Sequence, residues 1–164
     1  MTNISGFSIL FVCTGNTCRS PMAEGILRKV AGENNVSNLK IGSAGTVAID
    51  GMPATDFAIM AAKHWDIDIS NHRSRKLTGN LVNSSDLILA MGAEHIESIL
   101  SLDSTALSNT YLLKGFPQPY DSSQARVDDP IGGSLEQYNQ TFLELDEVIR
   151  KIFHKIAELL RADG

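Results

Sequence analysis

The chain has 164 residues, 43% hydrophobic and 20% charged, with a formal net charge of −5, the make-up of an ordinary soluble globular domain whose charge gives a nucleic-acid role no support. No stretch approaches the ~20 apolar residues of a membrane span, and Met1 to Gly6 carries neither a basic patch nor a long apolar run, so no signal peptide is expected. With its two cysteines at positions 13 and 18 there is no disulfide framework, so the expectation is one cytoplasmic domain over residues 1–164.

In chain order, Ile9-Leu10-Phe11-Val12 is a β-branched apolar run suited to a buried strand. Ser20-Pro21 reads as the N-cap and first residue of a helix, and Met22, Ile26, Leu27 and Val30 recur at helical spacing. Leu39 to Ala44 reads as a short strand entering a turn at Gly45, followed by a loop over 46–53. Residues 54–65 place Phe57, Met60, Ala61 and Trp65 on one helical stripe, with Trp65 expected to anchor the core or an interface. Asp68 to Leu77 is polar and irregular. Leu87 to Met91 predicts a third buried strand, Ala93 to Leu102 a short helix, and Tyr111 to Leu113 a fourth strand.

Residues 115–133, with their prolines and glycines, form a long loop of the kind that is often functional. Ser134-x-x-Gln137 is a capping box. It opens a final helix whose stripe, Leu135, Tyr138, Phe142, Leu145, Ile149, Ile152 and Ile156, must lie on the sheet, its charged side facing solvent. Alternating strands and helices predict an α/β fold, a four-stranded parallel sheet with helices on both faces.

The chemistry concentrates in Cys13-Thr14-Gly15-Asn16-Thr17-Cys18-Arg19-Ser20, between the first strand and the first helix. Loop N–H groups there can curl around an anion, with Gly15 supplying conformational freedom. The positive end of the helix favours the same anion, and the Arg19 fork can hold two phosphate oxygens. These influences are also expected to lower the Cys13 pKa and make it a nucleophile. Asn16 tolerates the left-handed backbone that a tight bend needs, and Ser20 can both cap the helix and donate to the thiolate. His64, His95 and His154 have no ligand spacing with one another or with the cysteines, so neither a metal nor another cofactor is implied.

The run Phe11-Val12-Cys13-Thr14-Gly15-Asn16-Thr17-Cys18-Arg19-Ser20-Pro21-Met22-Ala23-Glu24, together with Asp129-Pro130, Ser43-Ala44-Gly45-Thr46 and His72, resembles the low-molecular-weight protein tyrosine phosphatases. The resemblance implies that Cys13 attacks phosphorus, that Arg19 and the loop from Thr14 to Ser20 bind the phosphoryl oxygens, and that Asp129 is the general acid. In the Asp-Asp-Pro run, Asp128 stays open as an adjacent alternative. Asn16, Ser20, Ser43 and His72 are implied as loop support. A Cys13–Cys18 disulfide would protect the nucleophile from over-oxidation, while Cys18 packing under the loop is compatible with it.

Substrate choice departs from the tyrosine-specific pattern. Ile131-Gly132-Gly133 follows Asp129-Pro130 where aromatic residues are common, Val47-Ala48-Ile49-Asp50 has no aromatic, and Thr17 stands at a usually aliphatic position. These features resemble the bacterial protein-arginine phosphatases, although Ile131 replaces the aromatic common there. The resemblance therefore implies a phosphorylated protein substrate, phosphoarginine ahead of phosphotyrosine, with no nucleic-acid or membrane partner and no stated oligomeric state. The alternatives are an arsenate reductase of the same fold and a non-catalytic phosphate-binding or redox-sensing module. Residues 21–164 contain no cysteine, which rules out a thioredoxin-coupled reductase.

Overall fold

The computed structural model describes residues 6–162, so the stretch read for a targeting signal lies outside it except for Gly6. The first strand, β1 (Phe7–Cys13), is fully buried from Ile9 onward. Successive strand side chains face opposite ways, so Ile9, Phe11 and Cys13 enter one core cluster while Leu10 and Val12 enter another. The first cluster is closed by α1 (Arg19–Glu33), α2 (Asp56–Lys63) and α5 (Leu135–Ala162). On the other face lie α3 (Gly79–Asn83), α4 (Ala93–Leu102) and a 3-10 turn over Ser104–Asn109.

With β2 (Leu39–Gly45), β3 (Leu87–Ala90) and β4 (Thr110–Leu112), the sheet runs β2-β1-β3-β4, all parallel. The expected fold class is therefore observed. The chain leaves β1 for β2 on one side and crosses back to β3 on the other. The crevice at the carboxyl ends of β1 and β3 is thus the switch point where such sheets bind ligands.

The capping box forms in both directions: Ser134 N–H donates to Gln137 Oε1 at 2.8 Å and Gln137 N–H to Ser134 Oγ at 3.3 Å. The α5 stripe is buried from Tyr138 to Ile156, joined by Phe153, with Leu135 half-buried.

Three local readings are corrected, and one short helix is added. The first helix begins at Arg19 with Cys18 as its N-cap residue, so Ser20 lies inside the helix and does not cap it. Its hydroxyl is taken by Cys13 and Asn16. The buried face of α2 is Ala58, Ala61 and Ala62, whereas Phe57 and Met60 are exposed. Small residues let α2 lie close to its neighbours, and the bulky ones turn outward. Trp65 is 45% exposed and stacks edge-on with His64, so it does not anchor the core. The helix α3, capped by Thr78, is too short for sequence periodicity to reveal.

Candidate active site

Residues 13–19 curl into a loop whose carbonyl groups are held from outside. The Cys13 carbonyl accepts from Thr46 N–H at 2.9 Å, Thr14 from Val47 N–H at 3.0 Å, Thr17 from Thr55 N–H at 3.0 Å and Cys18 from Met22 N–H at 3.2 Å. His72 Nε2 donates to the Asn16 carbonyl at 2.7 Å. Because that oxygen can only accept, the proton of His72 sits on Nε2. With its carbonyls turned out, the loop can present N–H groups inward, and those of Asn16 and Ser20 reach the Cys13 sulfur. Gly45 makes this closure sterically possible: a Cβ there would lie 2.5 Å from the Thr14 carbonyl oxygen and 2.8 Å from Asn16 N.

Asn16 organises the loop from within. It is fully buried and has φ 57°, the left-handed bend expected of it. Its Nδ2 donates to Ser20 Oγ at 2.8 Å and Ser43 Oγ at 2.9 Å, and its Oδ1 accepts from Arg75 N–H at 2.9 Å. The Ser43 hydroxyl in turn donates to Glu24 Oε1 at 2.9 Å. Since Ser20 Oγ already accepts from Asn16, its hydrogen is free to point at Cys13 Sγ, 2.9 Å away. Thus Asn16, Ser20, Ser43 and His72, drawn from distant segments, form one connected network.

Burial pushes the Cys13 thiol above its ordinary value. The Ser20 hydroxyl, the Arg19 guanidinium and the N–H groups of Ser20 and Asn16 pull the other way. The expected lowering is therefore met by each contributing group but not by their net, because desolvation of the buried sulfur outweighs them.

Arg19 is buried. Its Nη1 donates to the Val127 carbonyl at 2.9 Å, and its Nη2 donates to Thr14 Oγ1 at 3.2 Å and lies 3.4 Å from Asp129 Oδ2. Its Nε–H has no partner among the described residues, which leaves a donor for an incoming oxygen. The structure separates the two aspartates: Asp128 is 94% exposed and paired with Arg126, whereas Asp129 is 32% exposed and faces Arg19. Cys13, Thr14, Gly15, Thr17, Cys18, Arg19, Asp129 and Ile131 line one cavity of 150 Å³, with no aromatic side chain in its wall among the described residues.

Cys18 and Cys13 are both free and buried. Cys18 Sγ packs 3.3 Å from Tyr138 Oη and 3.5 Å from Thr55 Oγ1. Burial and the nearby Cys18 push the Tyr138 hydroxyl up to about 12, so at neutral pH it stays protonated beside the sulfur.

Sequence reasoning missed three contributors: the Val127 carbonyl, Arg75 and His95. The imidazole of His95 is fully buried, with Nε2 2.9 Å from Thr14 Oγ1. One clue was available. His95 lies in the first turn of the helix that follows β3, and β3 adjoins β1, so both loops open on the same sheet edge.

A cysteine beneath a ring of loop N–H groups, a buried arginine and a facing carboxylate are suited to holding and transferring a phosphoryl group. A family model described as low molecular weight phosphotyrosine protein phosphatase matches residues 8–162. The chain belongs to that family. Its relatives include the protein-arginine-phosphatase of Bacillus subtilis, 40% identical over 144 residues, 88% of this chain and 93% of that protein. The low molecular weight protein-tyrosine-phosphatase Etp of Escherichia coli K12 is 35% identical over 146 residues, covering 85% of this chain and 95% of that protein. Among solved structures, a mutant of the YwlE arginine phosphatase with a phosphorylated active-site serine superposes with a TM-score of 0.84 at 37% identity. It covers 92% of this chain and 96% of its own. As a member of the low molecular weight family, the chain is a protein phosphatase and a hydrolase. Among the described residues no helix is long and apolar enough to cross a membrane.

Proposed function

We propose that residues 1–164 form one cytoplasmic phosphatase domain that removes the phosphoryl group from a protein side chain through a phosphocysteine, without a cofactor and with phosphoarginine preferred over phosphotyrosine. The observation that carries the reading is the convergence of Cys13, Arg19 and Asp129 on one cavity of phosphoryl size. Cys13, its proton taken up by the incoming phosphoryl dianion, attacks phosphorus in line as the thiolate, the bond to the leaving group breaks, and Asp129 gives that group a proton. Arg19 and the loop N–H groups of Thr14 to Ser20 hold the equatorial oxygens. Water, deprotonated by Asp129, then cleaves the sulfur–phosphorus bond. The returning thiolate is met by the Ser20 hydroxyl, whose orientation is set by Asn16. The YwlE mutant's phosphorylated active-site serine supports a covalent route.

The preference for phosphoarginine rests on the wall of the cavity. A phenol ring gains about 0.5–1.5 kcal/mol from each aromatic partner beyond burial, and this wall has none. A guanidinium favours polar and acidic neighbours, and here Thr17 and Asp129 line the cavity. A second concavity of 490 Å³, bordered by Asp128, Asp129 and Glu144, shares Asp129 and Ile131 with it. The arginine-phosphatase relative at 40% identity points the same way.

Two variants test the reading. Cys13→Ser should abolish turnover of an aryl phosphate while keeping affinity for inorganic phosphate, because Arg19 and the loop amides remain; substantial residual turnover would remove Cys13 from the nucleophilic role. Thr17→Ile, assayed on phosphoarginine and phosphotyrosine peptides of matched sequence, should depress the first and spare or raise the second. Equal changes on both would mean that Thr17 only fills space.

A further inference from the structure

His95 stands outside the loop, yet it is enclosed completely. Its Nε2 lies 2.9 Å from Thr14 Oγ1, and its Nδ1 has no hydrogen-bond partner among the described residues. A neutral imidazole carries one N–H. On Nδ1 that proton would be a buried donor with no acceptor. On Nε2 it reaches Thr14 and also lies near Glu94 Oε1, 3.8 Å away. Glu94 is itself held by Arg126 at 2.8 Å, so its negative charge is fixed beside Nε2. Geometry therefore selects the Nε2–H tautomer. Burial and the Arg19 charge keep the ring neutral, pushing its pKa down to about 4.

The Thr14 hydroxyl has two lone pairs and one hydrogen. One lone pair receives Arg19 Nη2–H at 3.2 Å, and the other receives His95 Nε2–H. Only its own hydrogen is left without an assigned partner, and Thr14 lines the cavity that holds Cys13 and Arg19. We propose that His95 is a positioning residue that turns the Thr14 hydroxyl hydrogen into the cavity, making Thr14 Oγ1 a side-chain donor to the transferring phosphoryl group beside the loop N–H groups and Arg19. An oxygen that accepts from a guanidinium and an imidazole is polarised into a stronger donor. The proposal rests on the phosphatase reading, though it holds for either side-chain substrate.

The test combines spectroscopy on the wild-type protein with kinetics on an aryl phosphate. Nitrogen-15 NMR of the labelled imidazole should show Nε2 protonated and Nδ1 bare at pH 7; the opposite tautomer overturns the proposal without any turnover measurement. Thr14→Val and His95→Leu should each lower kcat/KM by about a hundredfold, the low end of the loss from deleting an oxyanion donor. Thr14→Ser and His95→Gln, which keep a hydroxyl and an N–H donor, should recover most of that loss. The double variant Thr14→Val/His95→Leu should be no worse than Thr14→Val alone, because both changes remove the same donor. Additive losses, or full kcat/KM in Thr14→Val, overturn it. Should His95→Leu fail to fold, the tautomer and the Thr14 pair decide the matter alone. A wild-type protein inert toward aryl phosphates and toward phosphoarginine and phosphotyrosine peptides alike would sink the phosphatase reading and this proposal together, whereas an active enzyme indifferent to Thr14→Val refutes only the proposal.

Discussion

Asn16 is the residue whose removal should cost most outside the reacting groups. Its side chain makes three hydrogen bonds, to Ser20 at 2.8 Å, Ser43 at 2.9 Å and Arg75 N–H at 2.9 Å, from a fully buried position. At about 1 kcal/mol net for each bond, Asn16→Gly should lose about 3 kcal/mol of folding stability. Asn16→Ala adds the penalty of placing a Cβ at φ 57°, which Gly avoids, so it should fall about 1 kcal/mol lower still. The same change frees the Ser20 hydroxyl from the bond that aims it at Cys13, so kcat should fall in both variants. Urea unfolding measures the stability term, and aryl phosphate turnover, taken well below the unfolding midpoint, measures the second. If Asn16→Ala stays within 1 kcal/mol of wild type, or if Asn16→Gly is the less stable of the two, the loop is not held from Asn16 and the reasoning fails.

Other consequences are as direct. Asp129→Asn should slow substrates with poor leaving groups far more than activated aryl esters, while Asp128→Asn, exposed and paired with Arg126, should change little; a larger effect from Asp128 would reverse the assignment. Peroxide should oxidise the two thiols Cys13 and Cys18 to one disulfide with release of water, reversibly by added thiol, and Cys18→Ser should make the inactivation permanent. Mass spectrometry after mild oxidation reads the bond. Because the His95 pKa is about 4 folded against 6.5 unfolded, the unfolded chain binds the proton first. Its contribution is therefore present above pH 6.5 and is lost as pH falls toward 4, amounting to about 2 kcal/mol between pH 7 and pH 5. His95→Gln should flatten that slope in urea titrations, and an unchanged slope would exclude His95 as its source.

Contacts within a turn or two of chain were legible without the fold. The β-branched run of β1, the Ser134–Gln137 capping box and the stripe of α5 each follow from neighbours a few residues apart, where spacing alone dictates which side chains meet. The Cys13-to-Arg19 spacing belongs to the same class, since a strand and a helix joined by so short a segment leave the chain little choice but a tight anion-binding turn. Local pattern erred where a partner outside that pattern overrode the local preference. Ser20 is as good a cap as Cys18 is a poor one, yet its hydroxyl is claimed by Cys13 and Asn16 across the loop. The α2 stripe likewise turned out because alanines allow the closer approach.

Everything that tunes the loop came from afar: His72 meets Asn16 across 56 residues, Arg75 across 59, His95 meets Thr14 across 81 and Val127 meets Arg19 across 108. Such pairings depend on strand order. Only when β3 is placed beside β1 do the turn after β3 and the loop after β1 share an edge, and only then does Asp129, rather than Asp128, face the guanidinium. The reactive group was written locally in the sequence. The charge, shape and proton positions around it were decided by tertiary packing, because electrostatic neighbours are chosen by distance in space and not along the chain.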